Sequence, residues 1–241
     1  MIPQKAFILR IADNPQSVEY SETAAKSCEK VGLPYEFYEG ISHKKFGESI
    51  WKECQNRGLV VSNPKAKGAG GAATAGHFLI WKKIVDENIC AVVLEHDALM
   101  LHPITAEIPE NMIVNLGYKV TDPENYNHDH ALQEMKGIQK VHGRQNHGGA
   151  HAYAMRPSTA NSLLKHIAKN ANLGYIDNGW FLHNRHRGDV ILGIMDPIAA
   201  IGWLRASTIW KESAVDNYAP ILDSFNKNYK SKNSLNVKDK K

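Results

Sequence analysis

Two acidic side chains separated by one residue follow the most apolar segment of the sequence. Glu95-His96-Asp97 comes directly after residues 89–94, in which every side chain is apolar. Acids at the carboxyl end of a buried strand can converge on one hard cation, whose shell is then completed by phosphate oxygens and water. In open α/β sheets, ligands bind outside those strand ends. The alternative is that both acids only solvate the exit of the strand into a loop, and spacing alone leaves both interpretations open.

A glycine-rich segment, residues 68–73, leads into the clearest predicted helix, residues 72–88. Its glycines could be taken for a dinucleotide-binding fingerprint. Six residues separate it from the apolar run 59–61, however, whereas the fingerprint turn follows its strand directly. We therefore interpret residues 62–71 as a mobile loop beside a helix N-terminus, which favours an anion. A nicotinamide-dependent oxidoreductase built on these glycines is the last of the alternatives.

Two further groups of polar residues could carry chemistry. Five of the twelve histidines lie within residues 128–151, but the pair four residues apart, His147 and His151, spans a loop–strand boundary. This placement favours a solvated loop over a metal cluster. Asp177 lies in an irregular polar segment after a predicted helix, where loop carboxylates often serve as general bases.

Predicted strands and helices alternate along the chain as in an α/β protein. Apolar patterning predicts strands at residues 6–11, 35–38, 89–94, 112–116 and 150–155, and helices at residues 15–31, 72–88 and 157–170. The β-α-β opening is typical of a sheet covered by helices on both faces. Residues 117–148 show little periodicity, which predicts a long surface loop with a short helix near Leu132.

The positive charge is concentrated at the end of the sequence. The formal net charge is +4, but residues 226–241 hold six lysines and one aspartate, which leaves −1 for residues 1–225. We expect a folded domain over residues 1–225 and a basic disordered tail over residues 226–241. The tail either attracts a polyanionic acceptor, since lysines bind phosphate backbones without reading sequence, or serves only as a solubilising segment.

Cysteine spacing and hydropathy indicate the compartment. The three cysteines, Cys28, Cys54 and Cys90, show no CxxC spacing, which argues against a disulfide framework or a zinc module. The longest apolar run, residues 89–94, is far shorter than a membrane span requires. No apolar segment of signal-peptide type opens the sequence. We expect a cytoplasmic protein without integral membrane association.

In order along the chain, these short motifs resemble glycosyltransferase family 25, the group of bacterial lipooligosaccharide galactosyltransferases and animal collagen galactosyltransferases. The motifs are the strands at residues 7–11 and 35–38, Gly76-His77-Phe78-Leu79-Ile80-Trp81-Lys82, Leu94-Glu95-His96-Asp97-Ala98, Leu116-Gly117, Gly149-Ala150-His151-Ala152-Tyr153, Ile176-Asp177, Pro197 and Ser207-Thr208. No single motif is very specific, but their order and spacing together are. The similarity covers roughly residues 6–210.

The resemblance implies a GT-A fold, in which one Rossmann-like α/β domain has a mixed, mostly parallel sheet flanked by helices. It implies a hexosyltransferase with a nucleotide-sugar donor, most often a UDP-hexose such as UDP-galactose or UDP-glucose, and Mn²⁺ or Mg²⁺. By the same resemblance, Glu95 and Asp97 would hold the metal, and Arg10 and His77 would lie on the donor side. Asp177 would be the base of an inverting transfer.

The resemblance does not decide which acceptor receives the sugar or whether the protein is catalytically active. The acceptor would be a saccharide, as in lipopolysaccharide biosynthesis, a hydroxylated protein side chain or a modified nucleobase in DNA. Residues 117–148 would form a lid or acceptor loop. The sequence also departs from the family, whose Glu-Asp-Asp reads Glu-His-Asp here, whose serine before the helix histidine is Gly76, and whose Arg-x-x-Arg is missing from residues 12–17. The alternative is therefore a catalytically degenerate GT-A module that binds a nucleotide sugar without turnover.

Overall fold

Strands and helices alternate through most of the chain in the computed structural model, which describes residues 1–117, 119–120, 137–140, 150–169, 174–177, 188–196 and 198–203. The strands are β1 Lys5–Arg10, β2 Tyr35–Glu39, β3 Ala91–Glu95, β4 Ala98–Met100, β5 Met112–Asn115, β6 Lys119–Val120, β7 Gly137–Lys140, β8 Ala152–Met155, β9 Ile191–Asp196 and β10 Ala200–Trp203. The α-helices are α1 Pro15–Lys30, α2 His43–Phe46, α3 Ile50–Asn56, α4 Gly68–Glu87 and α5 Pro157–Lys169, with a 3₁₀ turn at Gly47–Ser49.

Seven strands form one mixed sheet in the order β2-β1-β3-β8-β5-β9-β7. Five of them run in one direction, whereas β8 and β7 run in the other. A second sheet has the order β4-β10-β6. The predicted fold class, a mixed and mostly parallel sheet flanked by helices, is confirmed.

The core lies on both faces of the large sheet because its central strands are apolar on both sides. On β1, Phe7 and Leu9 pack with residues of α3, α4 and α5, whereas Ala6 and Ile8 pack with residues of α1 and of the small sheet. The molecule therefore has three layers, with α4 and α1 on opposite faces of β1 and β3.

Helix α1 forms as its sequence predicts. The Asn14 side chain accepts hydrogen bonds from the backbone N–H groups of Gln16 and Ser17, and Pro15 occupies the first turn. Beyond the C-cap, Gly32 adopts a φ of 70°, which glycine reaches without the steric cost that other residues meet. The helix ends one residue before the predicted boundary at residue 31.

Helix α4 begins four residues earlier than predicted, at Gly68, so the predicted loop at residues 62–71 is wrong for its last four residues. Close packing outweighs the low helix propensity of glycine here. A Cβ atom on Gly71 would lie 2.7 Å from the Ala66 carbonyl oxygen, and one on Gly70 would lie 2.8 Å from the Tyr175 ring. Every residue from Thr74 to Trp81 is buried, as expected for a helix covered on all sides.

The other corrections concern segments of weak periodicity. The chain around residues 43–56, for which the sequence gives no prediction, forms α2, the 3₁₀ turn and α3. Strands β6 and β7 lie within the predicted surface loop 117–148. The predicted helix near Leu132, most of the lid and the basic tail lie outside the described residues, as does the predicted domain boundary at residue 225. No helix in the described part of the chain is long and apolar enough to cross a lipid bilayer.

Candidate functional site

A cavity of about 680 Å³ opens at the carboxyl ends of β1, β2 and β3. Helix α1 follows β1 on one face of the sheet, whereas α4 precedes β3 on the other, so the connections diverge between these two neighbouring strands. Such a switch point leaves a crevice in which ligands of open α/β sheets bind. Most of the wall comes from five segments, residues 13–15, 41–44, 67–73, 95–97 and 175–177.

The predicted acid pair lies in the wall of this cavity. Strand β3 ends at Glu95 and the chain turns at His96 and Asp97, so the alternation of faces along a strand stops there, and all three residues line the cavity. The Glu95 side chain is 14% exposed, and Asp97 is 4% exposed. The His96 ring lies beside that of Tyr20 on α1, with ring centres 6.1 Å apart. The structure therefore brings the two acids together at one ligand-sized space.

His77 lies behind the acid pair, and its side chain is fully buried. Its Nε2 atom is 3.2 Å from Glu95 Oε1, and its Nδ1 atom is 2.9 Å from the Tyr153 hydroxyl. His77 does not line the cavity. A role at the donor site, as the resemblance implies, would thus act through Glu95.

Asp177 also lines the cavity, in a segment far along the chain from the acid pair. The Ala150 backbone N–H donates to Asp177 Oδ1 over 2.7 Å, which fixes the orientation of the carboxylate. Its neighbour Tyr175 is 44% exposed and lies against Gly70 at the start of α4. Both predicted acidic groups, the pair at the end of β3 and Asp177, therefore line the same cavity.

The buried hydroxyl of Thr74 fastens the Asp177 segment to α4. Thr74 donates to the Gly70 carbonyl oxygen over 2.8 Å and accepts from the Ile176 backbone N–H over 3.0 Å. Because Thr74 and Ile176 are both buried, this N–H group has no access to bulk water as a substitute partner.

We expect Thr74→Val to lower the free energy of unfolding by about 1–3 kcal/mol, because it leaves the Ile176 N–H buried without its acceptor. Urea denaturation measures the change. Thr74→Ser keeps the hydroxyl and is the matched control, with a smaller loss. An unchanged free energy of unfolding in Thr74→Val would show that this hydrogen bond does not stabilise the segment.

Two lysines and the first turn of α4 add positive charge to the cavity, and the sequence did not single them out. Lys44 and Lys67 both line it. Lys67 is the N-cap residue of α4, and its side chain makes no capping hydrogen bond to the first turn of this helix. The uncapped N–H groups and the helix dipole favour an anion at this end. In the sequence, Lys67 stands directly before Gly68. This position indicates an anion site only once the helix is known to begin at Gly68.

Arg10 lies away from the cavity. Its guanidinium group contacts Glu39 with Nε 2.5 Å from Oε1, lies 3.7 Å from Glu22, and stacks over the Phe37 ring at 4.1 Å. Arg10 does not line the cavity wall. Its contacts therefore tie β1 to β2 and α1, and the structure does not bring it to the other predicted donor-side residues.

The metal-ligating side chains at the cavity are too few to enclose a metal ion by themselves. They suit a divalent ion that also takes ligands from a bound molecule. Within the described residues, no three His, Cys, Asp or Glu side chains group closely enough to hold a metal ion. Two carboxylates on one cavity wall match the one or two that Mg²⁺ commonly takes from a protein beside phosphate oxygens. Glu95 and Asp97 thus fit the predicted Mn²⁺ or Mg²⁺. Most of the predicted histidine-rich stretch, residues 128–151, lies outside the described part.

Comparison with known proteins agrees with this geometry. The sequence model of one family, described as glycosyltransferase family 25 (LPS biosynthesis protein), matches residues 16–178, more than half of the chain. A search of curated proteins finds no match. The matched range contains α4, the acid pair and Asp177, and so includes four of the five segments that line the cavity. The chain belongs to glycosyltransferase family 25.

Proposed function

We propose that the cavity binds a nucleotide-sugar donor and that the protein is a metal-dependent hexosyltransferase. The observation that carries this proposal is that one cavity is lined by acidic groups, which a metal ion needs, and by positive groups, which a diphosphate needs. Four carboxylates line it, at Asp13, Glu95, Asp97 and Asp177, together with Lys44, Lys67 and the uncapped start of α4. The volume of about 680 Å³ lies within the range of small-molecule sites.

Glu95 and Asp97 would hold Mn²⁺ or Mg²⁺. When bound, the ion supplies a positive charge that stabilises the nucleoside diphosphate as the sugar leaves it. Lys67 and the N–H groups of the first turn of α4 would contact the diphosphate, since a helix N-terminus and an ammonium group both favour phosphate. The family relationship favours a UDP-hexose as the donor.

Asp177 would act as the general base. Its carboxylate would take the proton of the acceptor hydroxyl while the hydroxyl oxygen forms a bond to the anomeric carbon of the sugar. The bond from that carbon to the diphosphate oxygen breaks in the same step, and its electron pair leaves with the nucleoside diphosphate. Attack from the side opposite the leaving group gives inversion. The Ala150 N–H bond to Asp177 Oδ1 supports this role, because it keeps the carboxylate turned in a fixed direction at the cavity.

The family's description as a lipopolysaccharide biosynthesis protein favours a saccharide as the acceptor. The other acceptors are a hydroxylated protein side chain and a modified nucleobase in DNA. The lysines of residues 226–241 would favour a polyanionic acceptor such as DNA. Transfer assays with the full chain and with a chain ending at residue 225 separate these acceptors. If the tail recruits the acceptor, its removal is expected to change acceptor use and to leave donor binding unchanged.

His96 supports a second candidate, a degenerate module that binds the nucleotide sugar without transferring it. The imidazole occupies the middle of the Glu-His-Asp turn, where a third carboxylate would otherwise add charge to the metal site. Two carboxylates of this turn, Glu95 and Asp97, remain at the cavity. The two candidates therefore share donor binding and differ in turnover.

A thermal-shift screen of nucleotide sugars with and without Mn²⁺ tests the proposal. A ligand at 100 times its dissociation constant stabilises the folded state by about 2.7 kcal/mol, which corresponds to roughly 5–10 °C for a chain of this size. We expect this shift with a UDP-hexose and Mn²⁺ together, and a smaller one with either alone. Binding without transfer to any acceptor indicates the degenerate module. A shift with NADH and none with a UDP-sugar contradicts both candidates.

A further inference from the structure

We propose that Tyr153 and His77 are positioning residues that hold the Glu95 carboxylate in one orientation at the cavity wall, an inference that rests on the proposed function for the role of Glu95. A row of polar side chains runs from the core to this carboxylate. Trp81 Nε1 donates to the Tyr153 hydroxyl over 2.8 Å, and the remaining distances are 2.9 Å from that hydroxyl to His77 Nδ1 and 3.2 Å from His77 Nε2 to Glu95 Oε1.

Three elements bring these residues together. His77 and Trp81 lie one turn apart on α4, and Tyr153 lies on β8. Because β8 runs antiparallel to β3, Tyr153 is the direct neighbour of Val93, two residues before Glu95. The Glu95 backbone N–H also donates to the His151 carbonyl oxygen over 2.8 Å, so the main chain beside the carboxylate is fixed as well.

The donors and acceptors assign the protons along this row. An indole N–H can only donate, so the Tyr153 oxygen accepts from Trp81. If His77 carried its proton on Nδ1, the lone pair of Nε2 would face the Glu95 carboxylate, which is unfavourable. With the proton on Nε2, His77 donates to Glu95, and Nδ1 accepts from the Tyr153 hydroxyl. Between the two tautomers of the neutral ring, the geometry therefore selects the one with the proton on Nε2.

The environment of Tyr153 keeps its hydroxyl a donor. Complete burial, together with the nearby negative charge of Glu95, raises the pKa of Tyr153 well above its ordinary value, although the Trp81 hydrogen bond lowers it in part. The phenol is therefore protonated throughout the range in which the protein would work.

Fixing the carboxylate matters because a glutamate side chain has several torsions to lose. An unrestrained Glu loses up to about 2 kcal/mol of side-chain conformational entropy when it is fixed. The His77 bond fixes Glu95 when the protein folds, so the loss does not recur when a ligand binds. Apolar side chains of similar volume would fill this part of the core without burying polar atoms, which often gives equal or higher stability. A row of polar groups that ends on a cavity carboxylate is thus better explained by orientation than by packing.

Tyr153→Phe is the test, since it removes the hydroxyl and keeps the ring. We expect the affinity for Mn²⁺ in the presence of UDP, measured by calorimetry and by the electron paramagnetic resonance of free Mn²⁺, to fall by about 10–100-fold, as is typical when groups behind a metal ligand are lost. UDP binding without metal is expected to change less than about twofold. Tyr35→Phe is the matched control, because it removes an exposed hydroxyl bonded to Glu29 at the opposite end of the sheet.

The side-chain nitrogen spectrum of His77 gives a second measurement that needs no variant. We expect a protonated Nε2 and an unprotonated Nδ1 in the wild-type protein, and a protonated Nδ1 with a bare Nε2 overturns the proposal even if Tyr153→Phe fails to fold. Unchanged Mn²⁺ affinity in a folded Tyr153→Phe protein also overturns it and leaves the proposed function standing. Failure of the wild-type protein to bind Mn²⁺ would instead contradict the proposed metal dependence, and the nitrogen spectrum would still decide how Glu95 is held.

Discussion

Asp97→Asn is expected to lower glycosyl transfer by at least about 100-fold, which corresponds to about 2.7 kcal/mol of lost transition-state stabilisation. The substitution keeps the size and shape of a side chain that is 4% exposed and removes its charge. A neutral amide is a poorer ligand for a hard cation than a carboxylate, so one of the two proposed metal ligands is weakened. Because the ion would stabilise the leaving diphosphate, the loss should appear in transfer and in Mn²⁺-dependent donor binding together.

Calorimetry of UDP binding with and without Mn²⁺, paired with a transfer assay, measures both effects. Asp86→Asn is the matched control, because the same change is made on the surface of α4, where Asp86 pairs with Lys82 over 2.5 Å. We expect Asp86→Asn to change stability by less than about 1 kcal/mol and to leave Mn²⁺-dependent binding intact. Wild-type Mn²⁺ dependence in Asp97→Asn would exclude Asp97 from the metal site.

Asp177→Asn is expected to lower transfer by about 10²–10⁴-fold while the donor still binds, because general-base catalysis contributes in this range. The amide oxygen can still accept the hydrogen bond from the Ala150 N–H, so the segment should stay in place. What is lost is the ability to take a proton from the acceptor hydroxyl. The change should therefore reduce kcat and leave the dissociation constant of the donor within about twofold.

Steady-state transfer kinetics and donor calorimetry on the same protein separate these effects. Thr74→Ser, which keeps the hydroxyl that fastens the Ile176 backbone, controls for small movements of this segment. A large loss of donor affinity in Asp177→Asn would indicate that Asp177 shapes the donor site. Transfer at the wild-type rate would place the base elsewhere.

The sequence predicted the elements whose signals are local. Helix α1 carries its own boundaries, with Asn14 and Pro15 at its start and Gly32 after its end. The strands β1 and β3 are short apolar runs of the kind that a sheet buries on both faces. The acids after β3 could also be found, because the rule that ligands bind at the carboxyl ends of strands needs only the end of a strand.

Elements that depend on distant contacts could not be predicted in this way. In the first turn of α4, Gly70 and Gly71 lie so close to the Tyr175 ring and the Ala66 carbonyl group that larger side chains would collide. Glycine composition alone indicates a loop at this position. The place of Lys67 in the cavity follows from the same helix start and was missed for the same reason.

The relation between His77 and Glu95 was also beyond the reach of the sequence. It depends on how α4 packs against β3, and the contact of Tyr153 with His77 depends in addition on β8 pairing with β3 in the antiparallel direction. Nothing in residues 150–155 fixes the partner of that strand or its direction, since pairing across many residues is set by the whole sheet. The histidine could be noticed in sequence, but its buried neighbours could not.

The assembly of the cavity from distant segments has a consequence for how the protein matures. During synthesis, β1, β2 and β3 are complete by residue 95, but β8, which flanks β3 in the sheet, begins at residue 152, and Asp177 follows later still. Contacts between residues so far apart form late, because the intervening chain must first lose its freedom. A nascent chain can thus carry the acid pair on an open strand edge well before the wall with Asp177 exists. Competence to transfer sugar would therefore be acquired only after β8 has paired with β3 and the segment that carries Asp177 has bonded to α4.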